Sequence, residues 1–414
     1  MLVVLLLACT EDKVADPGTD PVVEEGVTYW RDARPVIDAN CARCHTSNGI
    51  ATSFDDPATV QALAPTIAAY TAAGTMPPPA PNPECRDYTD SEKYTLTDEE
   101  QAVLQAWADA GAPLGDEADA VQPEPPVTLA PFDLELWGAA PYTPSFHEDG
   151  TNDYRCFLLD VGNDEALYVT GVEPLVDNDS IVHHVVLFEV DEGEYNTDTD
   201  PHLGFSCDGF GESGWDFVTG WAPGGGPVSL PEGYGIKLKK EAQLVLQMHY
   251  YNSYDGADLA ADQSGYGLIT AEEVEQRVYV YPLGTYEFTI PAGDADYESP
   301  MLVPWDARYG EIEILGVFPH MHQLGSGFDM YVAHPDGTQT CLADLDGWDF
   351  HNQISALYYE PAPVVGGDAL YLNCRYDNSA SNPNQFNDPP EDVGWGEGTE
   401  EEMCFGFTYG AAVD

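Results

Sequence analysis

From about Phe132 onward the chain consists of short apolar runs separated by Gly, Pro, Asp and Asn, and this punctuation restricts it to antiparallel β structure. Residues 166–170, 181–189, 242–251, 276–281 and 311–318 alternate or cluster β-branched and aromatic side chains, while helix signals fade. Such runs pack as sandwiches, and the stretch is too long for one small sandwich. It is read as two all-β antiparallel sandwiches, 129–284 and 285–414, with a join near residues 282–285.

The histidines fall on these runs. His183 and His184 lie within 181–189, His249 within 244–252, and His320 and His322 within Phe318-Pro319-His320-Met321-His322. In extended backbone residues i and i+2 share a face, so His320 and His322 can offer two imidazoles to one ion. Adjacent residues face opposite sides. His183 and His184 therefore meet at one ion only if a bulge or strand end twists the backbone between them, with His249 as the third partner. Met403 adds a thioether, a soft ligand that favours Cu(I) over zinc or magnesium. His147, His202, His334 and His351 have the Asp, Pro and Gly neighbours of loops and are read as ordinary surface or core residues.

The start of the chain has a different character. Residues 2–8 are apolar and end in Leu6-Leu7-Ala8-Cys9, which looks like a bacterial lipobox whose Cys9 carries lipid; no Lys or Arg precedes it, and the run is too short to span a bilayer. An acidic Pro/Gly tether follows, so residues 1–26 are expected to be a lipoprotein signal and flexible tether. The expected location is the periplasm or cell surface of a Gram-negative-type bacterium, with the lipid as membrane anchor.

Over residues 27–113, Cys41-Ala42-Arg43-Cys44-His45 is the C-x-x-C-H signature of covalent haem c, with two thiols bonding the vinyl groups and His45 as axial ligand. Gly74-Thr75-Met76-Pro77-Pro78-Pro79 presents a second axial candidate, Met76, from a stiff loop, because Pro77 pushes Met76 out of helical geometry. Thr97 and Glu100 form a capping box that opens a helix carrying Val103, Leu104 and Trp107 and stopping at Gly111 and Pro113. These motifs, with Thr28-Tyr29-Trp30-Arg31-Asp32, resemble monohaem cytochrome c domains fused to bacterial exported enzymes. The resemblance implies a small all-α cytochrome c domain, set off by an acidic Pro-rich linker at 114–128 across which motion is expected.

The chain has 13 Lys+Arg against 73 Asp+Glu, a net charge of −60. This repels phosphate backbones and excludes nucleic acid as a partner. The acidic residues are spread along the chain, as on a solvated surface, and residues 191–200 lack the spacing of a calcium loop. Apart from Cys9, Cys41 and Cys44, six cysteines remain, an even number suited to disulfides in an exported chain but open to fifteen pairings.

Residues 183–188, 244–250 and 318–325 and the triplet Glu402-Met403-Cys404 resemble, in order, the four copper motifs of the ascorbate-dependent type II copper monooxygenases, the family of the peptidylglycine α-hydroxylating and dopamine β-monooxygenases. Trp221-Ala222-Pro223 and Leu230-Pro231-Glu232-Gly233 match its spacing, and the resemblance covers about residues 130–414. It implies two copper ions, one in each jelly-roll-like sandwich, facing across a solvent-filled cleft. His183, His184 and His249 would hold the electron-storing copper, and His320, His322 and Met403 the copper that meets dioxygen. It also implies a Cys374–Cys404 disulfide. The cysteine that partners the Cys156 position in the family is missing after His249, which leaves Cys156 with Cys207 and Cys85 with Cys341 as candidate pairs.

Members of the family that oxidise peptide C-termini carry an arginine two residues before H-x-H, and Asn and Tyr after Met-Cys. Here those positions are Phe318, Phe405 and Phe407, so an apolar or aromatic small molecule is the expected substrate. The whole is expected to be a monooxygenase that draws electrons through its own haem from ascorbate or a periplasmic redox protein. The alternative is a non-catalytic haem and copper electron-transfer or copper-binding lipoprotein on the same scaffold.

Overall fold

The computed structural model describes residues 26–47, 51–122, 127–146, 152–196, 198–207, 214–252 and 260–413. Cys9, the apolar run before it, nearly all of the tether, and His147 lie outside the described residues.

One nine-stranded sheet runs through the β region. Its strands lie in the order Leu134–Trp137, Gly265–Ala271, Leu167–Leu175, Tyr234–Leu238, Gln276–Thr285, Cys404–Val413, Glu311–His320 and Ala356–Val364, with Val228–Ser229 paired to Leu167–Leu175. A five-stranded sheet, Phe205–Ser206, Asn152–Asp160, Gln243–Tyr251, Val182–Val190 and Asp216–Trp221, closes one core against its first half. A four-stranded sheet, Tyr297–Pro304, Ala369–Tyr376, Gly325–Ala333 and Gln339–Asp346, closes a second core against the other half. The strand Glu311–His320 serves both cores. Ile314 and Val317 enter one and Leu315 and Phe318 the other, which is why residues 314–318 read as a continuous apolar run.

The expected join at residues 282–285 lies inside a strand that belongs to both halves. Gln276–Thr285 pairs parallel with Tyr234–Leu238 at its start and antiparallel with Cys404–Val413 along its length.

The expected fold class, a small all-α cytochrome c domain followed by two sandwiches, is overturned. The structure is mostly β, with 40% of the described residues in strands, and these residues hold three short α-helices, α1 (Arg34–Asn40), α2 (Pro57–Ala72) and α3 (Asp98–Asp109). The helices enclose a small core around Ile37, Val60, Leu104 and Trp107, and α3 opens on the Thr97–Glu100 capping box. They do not stand apart as a separate all-α domain, because the chain between α2 and α3 is committed to the β structure. Cys85 is disulfide-bonded to Cys341, Tyr88 is 1% exposed within the second β core, and Thr89 N–H donates to Leu357 O at 2.8 Å. Arg86 donates from its guanidinium to Cys341 O at 2.8 Å and Glu360 O at 2.9 Å. The helical segment is thereby tied down on the partner that the linker was expected to separate from it.

Candidate metal centre

The pairing of Val182–Val190 with Gln243–Tyr251 slips by one residue: Val182 faces Tyr250, but His184 faces His249. His183 is the extra residue of this bulge, which supplies the twist that adjacent histidines need to turn to one side. His184 Nδ1 lies 3.4 Å from His183 Nδ1 and 3.3 Å from His249 Nδ1. Imidazoles bound at about 2.0–2.1 Å to one metal at tetrahedral to trigonal angles place their nitrogens roughly 3.3–3.6 Å apart. The His249 ring stacks on Tyr154, and its Nε2–H donates to Asn152 Oδ1 at 2.8 Å, which leaves Nδ1 as a bare lone pair. His183 Nε2 is buried without a hydrogen-bond partner. Burial holds His184 down to about 3, and His183 and His249 well below the ordinary imidazole range, helped by the neighbouring rings. Three neutral imidazoles directed at one point form a donor set suited to copper.

The second group is built by strand register. Phe318 pairs with Phe407 and His320 with Phe405, where the ladder ends, and just beyond it Glu402 holds the backbone N–H groups of His322 and Met403 on one carboxylate oxygen. His320 Nδ1–H donates to Gln353 Oε1 at 2.6 Å, and Gln353 Nε2 donates in turn to Phe350 O at 2.8 Å, fixing the amide orientation. His322 Nδ1–H donates to Glu401 O at 2.9 Å. Both rings therefore present Nε2, and they stand perpendicular with centroids 5.2 Å apart. Met321 turns the other way into the second core, as i and i+1 must in extended chain. Burial lowers His322 to about 4 and His320 well below its ordinary value.

Glu402, fully buried, braces this group. It accepts the backbone N–H groups of His322 at 2.9 Å, Leu324 at 2.6 Å and Met403 at 3.3 Å. Burial lifts its pKa to about 8 against these three donors. Tyr376 O–H donates to Met403 O at 2.7 Å, and the Cys374–Cys404 disulfide secures the next residue. Cys156 is bonded to Cys207 on the outer face of the five-stranded sheet.

Where the resemblance implies a solvent-filled cleft, the rings of the two groups approach closely. His184 and His320 meet edge to face with centroids 6.4 Å apart, and Phe350 stacks on His183 at 4.2 Å while lying 6.2 Å from His322. The loop after Gln339–Asp346 places the apolar ring of Phe350 between the two groups.

Beside Met403 lies a cavity of about 470 Å³ lined by Phe405, Phe407, Phe217, Tyr281, Tyr286 and Trp395 and also by Lys237, Arg277, Glu189 and Glu397. Phe217 stacks on Phe407 at 4.5 Å. Phe405 and Phe407 thus wall a cavity, whereas Phe318 is core packing 6.0 Å from Phe407.

A second cavity, of about 360 Å³, is walled by Cys41, Cys44, His45 and Met76 together with residues of α2. Both thiols are free, and burial pushes Cys41 up to about 12. His45 stacks on Phe54, and its Nδ1–H donates to Thr52 O at 2.7 Å, leaving Nε2 for a ligand. Two unpaired thiols, an oriented imidazole and a thioether around one largely apolar space fit a covalently attached haem.

The roles of four residues escaped the sequence reading. Gln353 and Asn152 orient imidazoles from distant segments, and Glu402, marked in the sequence only as part of the Glu402-Met403-Cys404 triplet, binds backbone N–H groups; no spacing rule announces these contacts. His351 was placed among ordinary histidines, yet its ring lies 5.2 Å from that of His183. His202 and His334 do pair locally, with Asp160 and Asp200 and with Asp368.

Comparison with known proteins agrees with this geometry. DBH-like monooxygenase protein 1 of Homo sapiens is 25% identical over 270 residues, covering 59% of this chain and 41% of the human protein. The mouse (Mus musculus) protein of the same name is 23% identical over 286 residues, covering 61% of this chain and 43% of its own. The chain thus spans less than half the length of either relative. The solved infectious bursal disease virus VP2 subviral particle covers 67% of this chain and 70% of its own at 12% identity, with a TM-score of 0.21, too slight a likeness to bear on the fold. Residues 144–256 match the N-terminal domain, and residues 280–409 the C-terminal domain, of copper type II ascorbate-dependent monooxygenases. The two matches between them take in all six candidate copper ligands, and across these residues the chain belongs to the copper type II ascorbate-dependent monooxygenase family.

Proposed function

We propose that this protein hydroxylates a C–H bond of an apolar or aromatic small molecule with dioxygen, using two coppers and drawing electrons through a haem covalently attached at Cys41 and Cys44. The observation that carries the reading is the convergence of two buried donor groups, His183, His184 and His249 in one and His320 and His322 with Met403 braced beside them through Glu402 in the other, next to an aromatic cavity. Copper held there supplies one-electron cycling between Cu(I) and Cu(II) and the activation of dioxygen.

The chain's own residues supply the rest. Asn152, Gln353 and the carbonyl of Glu401 set the tautomers of His249, His320 and His322. Phe350 sets an apolar ring between the two groups. Phe405 and Phe407 favour a flat or apolar substrate beside Met403 and provide no clamp for a carboxylate. The haem reading is supported by the Cys41, Cys44, His45 and Met76 cavity, and the external reductant would be ascorbate or a redox protein. Three disulfides support an oxidising, extracytoplasmic location, with Cys9 as the candidate lipid anchor.

The test is oxygen uptake by the reduced, copper-loaded protein across aromatic and aliphatic compounds, with product analysis. Hydroxylated product that disappears in Met403→Ile, with haem content and the three-histidine copper signal retained, supports the reading. Reductant consumed without product from any compound would favour a non-catalytic electron-transfer protein.

A further inference from the structure

 Residues 349–352, in the loop between Gln339–Asp346 and Ala356–Val364, reach two places at once. Asp349, His351 and Asn352 wall the cavity that contains Cys41, Cys44, His45 and Met76. The His351 ring also lies 5.2 Å from His183 and 5.9 Å from Tyr251, and the adjacent Phe350 stacks on His183 at 4.2 Å. Within the loop His351 N–H donates to Asp349 Oδ1 at 2.8 Å, and the Asn352 side-chain amide ties the loop to Pro79 O at 3.0 Å, three residues beyond Met76.

We propose that His351 is the side chain that couples the two centres, the contact across which one electron passes from a haem iron at His45 to a copper held by His183, His184 and His249. The iron goes from ferrous to ferric as the copper goes from cupric to cuprous. One electron is lost and one gained, no atom is transferred, and an external one-electron donor such as ascorbate restores the haem. The proposal rests on the haem reading given above. Its physical basis is contiguity: an imidazole packed against His183 and walling the thiol-lined cavity replaces a gap with a fixed chain of contacts. His351 is a positioning residue in this arrangement and not a metal ligand.

The test uses the full chain, first assayed for covalent haem by haem staining after denaturation. Copper-free protein with its haem reduced is mixed anaerobically with Cu(II), and the ferrous haem absorbance is followed in stopped flow. In His351→Ala the oxidation rate is expected to fall by about tenfold or more, with the haem spectrum and the Cu(II) paramagnetic resonance of the three-histidine site unchanged. His351→Phe, which keeps a ring in contact, is expected to recover much of the rate. An unchanged rate in His351→Ala overturns the coupling role while leaving the haem reading intact. An altered haem ligand spectrum in His351→Ala also overturns it, by making His351 an iron ligand. A chain without covalent haem overturns the haem reading itself, and the coupling with it, before any rate is measured.

Discussion

Glu402 accepts the backbone N–H of His322 at 2.9 Å and that of Met403 at 3.3 Å on the same carboxylate oxygen, so one buried side chain sets the spacing between an imidazole and a thioether from segments 80 residues apart. Replacing Glu402 with Ala strands these two donors and that of Leu324 in a dry interior. At about 1–3 kcal/mol for each unsatisfied buried group, a loss of at least about 3 kcal/mol in unfolding free energy is expected. Urea titration of the copper-free protein measures it; a variant within about 0.5 kcal/mol of the parent would refute the bracing role.

Asn152 orients His249 through a 2.8 Å bond to Nε2. Asn152→Leu is expected to weaken copper binding at the three-histidine group by about 10–100-fold while leaving the His320 and His322 group loaded. Competitive copper titration resolves the two sites, and equal weakening of both would contradict the assignment.

The buried imidazoles make the copper-free protein acid-sensitive in a defined direction. His184 and His322 titrate at about 3 and 4 in the folded chain against 6.5 when unfolded, so below pH 6.5 the unfolded chain takes up protons that the folded chain refuses. The contribution of these two rings is therefore full above pH 6.5 and is lost as pH drops towards 4, by about 1.4 kcal/mol per pH unit for each imidazole, with buried Glu402, raised to about 8, offsetting one such slope over the same window. Denaturant midpoints measured from pH 7 to 5 give the slope, and a flat profile would contradict the burial of these rings.

Phe407 packs between Phe217 and Phe318 and walls the aromatic cavity. Phe407→Ala is expected to cost about 3–5 kcal/mol of stability and to shift substrate preference towards bulkier compounds. Product profiles across a size series check the second effect, and an unchanged profile would remove Phe407 from the substrate site.

The Cys85–Cys341 bond ties the segment between α2 and α3 to the second β core. Replacing both cysteines with Ser is expected to lower stability by about 2–4 kcal/mol and to make residues 77–96 the first site of proteolytic nicking. Mass mapping of early cleavage products decides it.

Local chemistry was legible in the sequence because it depends on neighbours along the chain. The C-x-x-C-H segment, the Thr97 capping box, the β runs and the opposite facing of His320 and Met321 follow from backbone period and residue type. The sequence alone also showed that His183 and His184 need a bulge to meet, though the slip itself is created by pairing with Gln243–Tyr251. Only tertiary structure decided that the helices join the β body instead of forming a domain of their own, since the commitment is made by Cys85, Arg86, Tyr88 and Thr89 finding partners some 250 residues away. It likewise decided that Glu402 and His351 reach the metal centre and that Phe350 lies between the two histidine groups. Contacts of that range carry no periodicity, because they arise from the packing of separate strands and loops around shared cores.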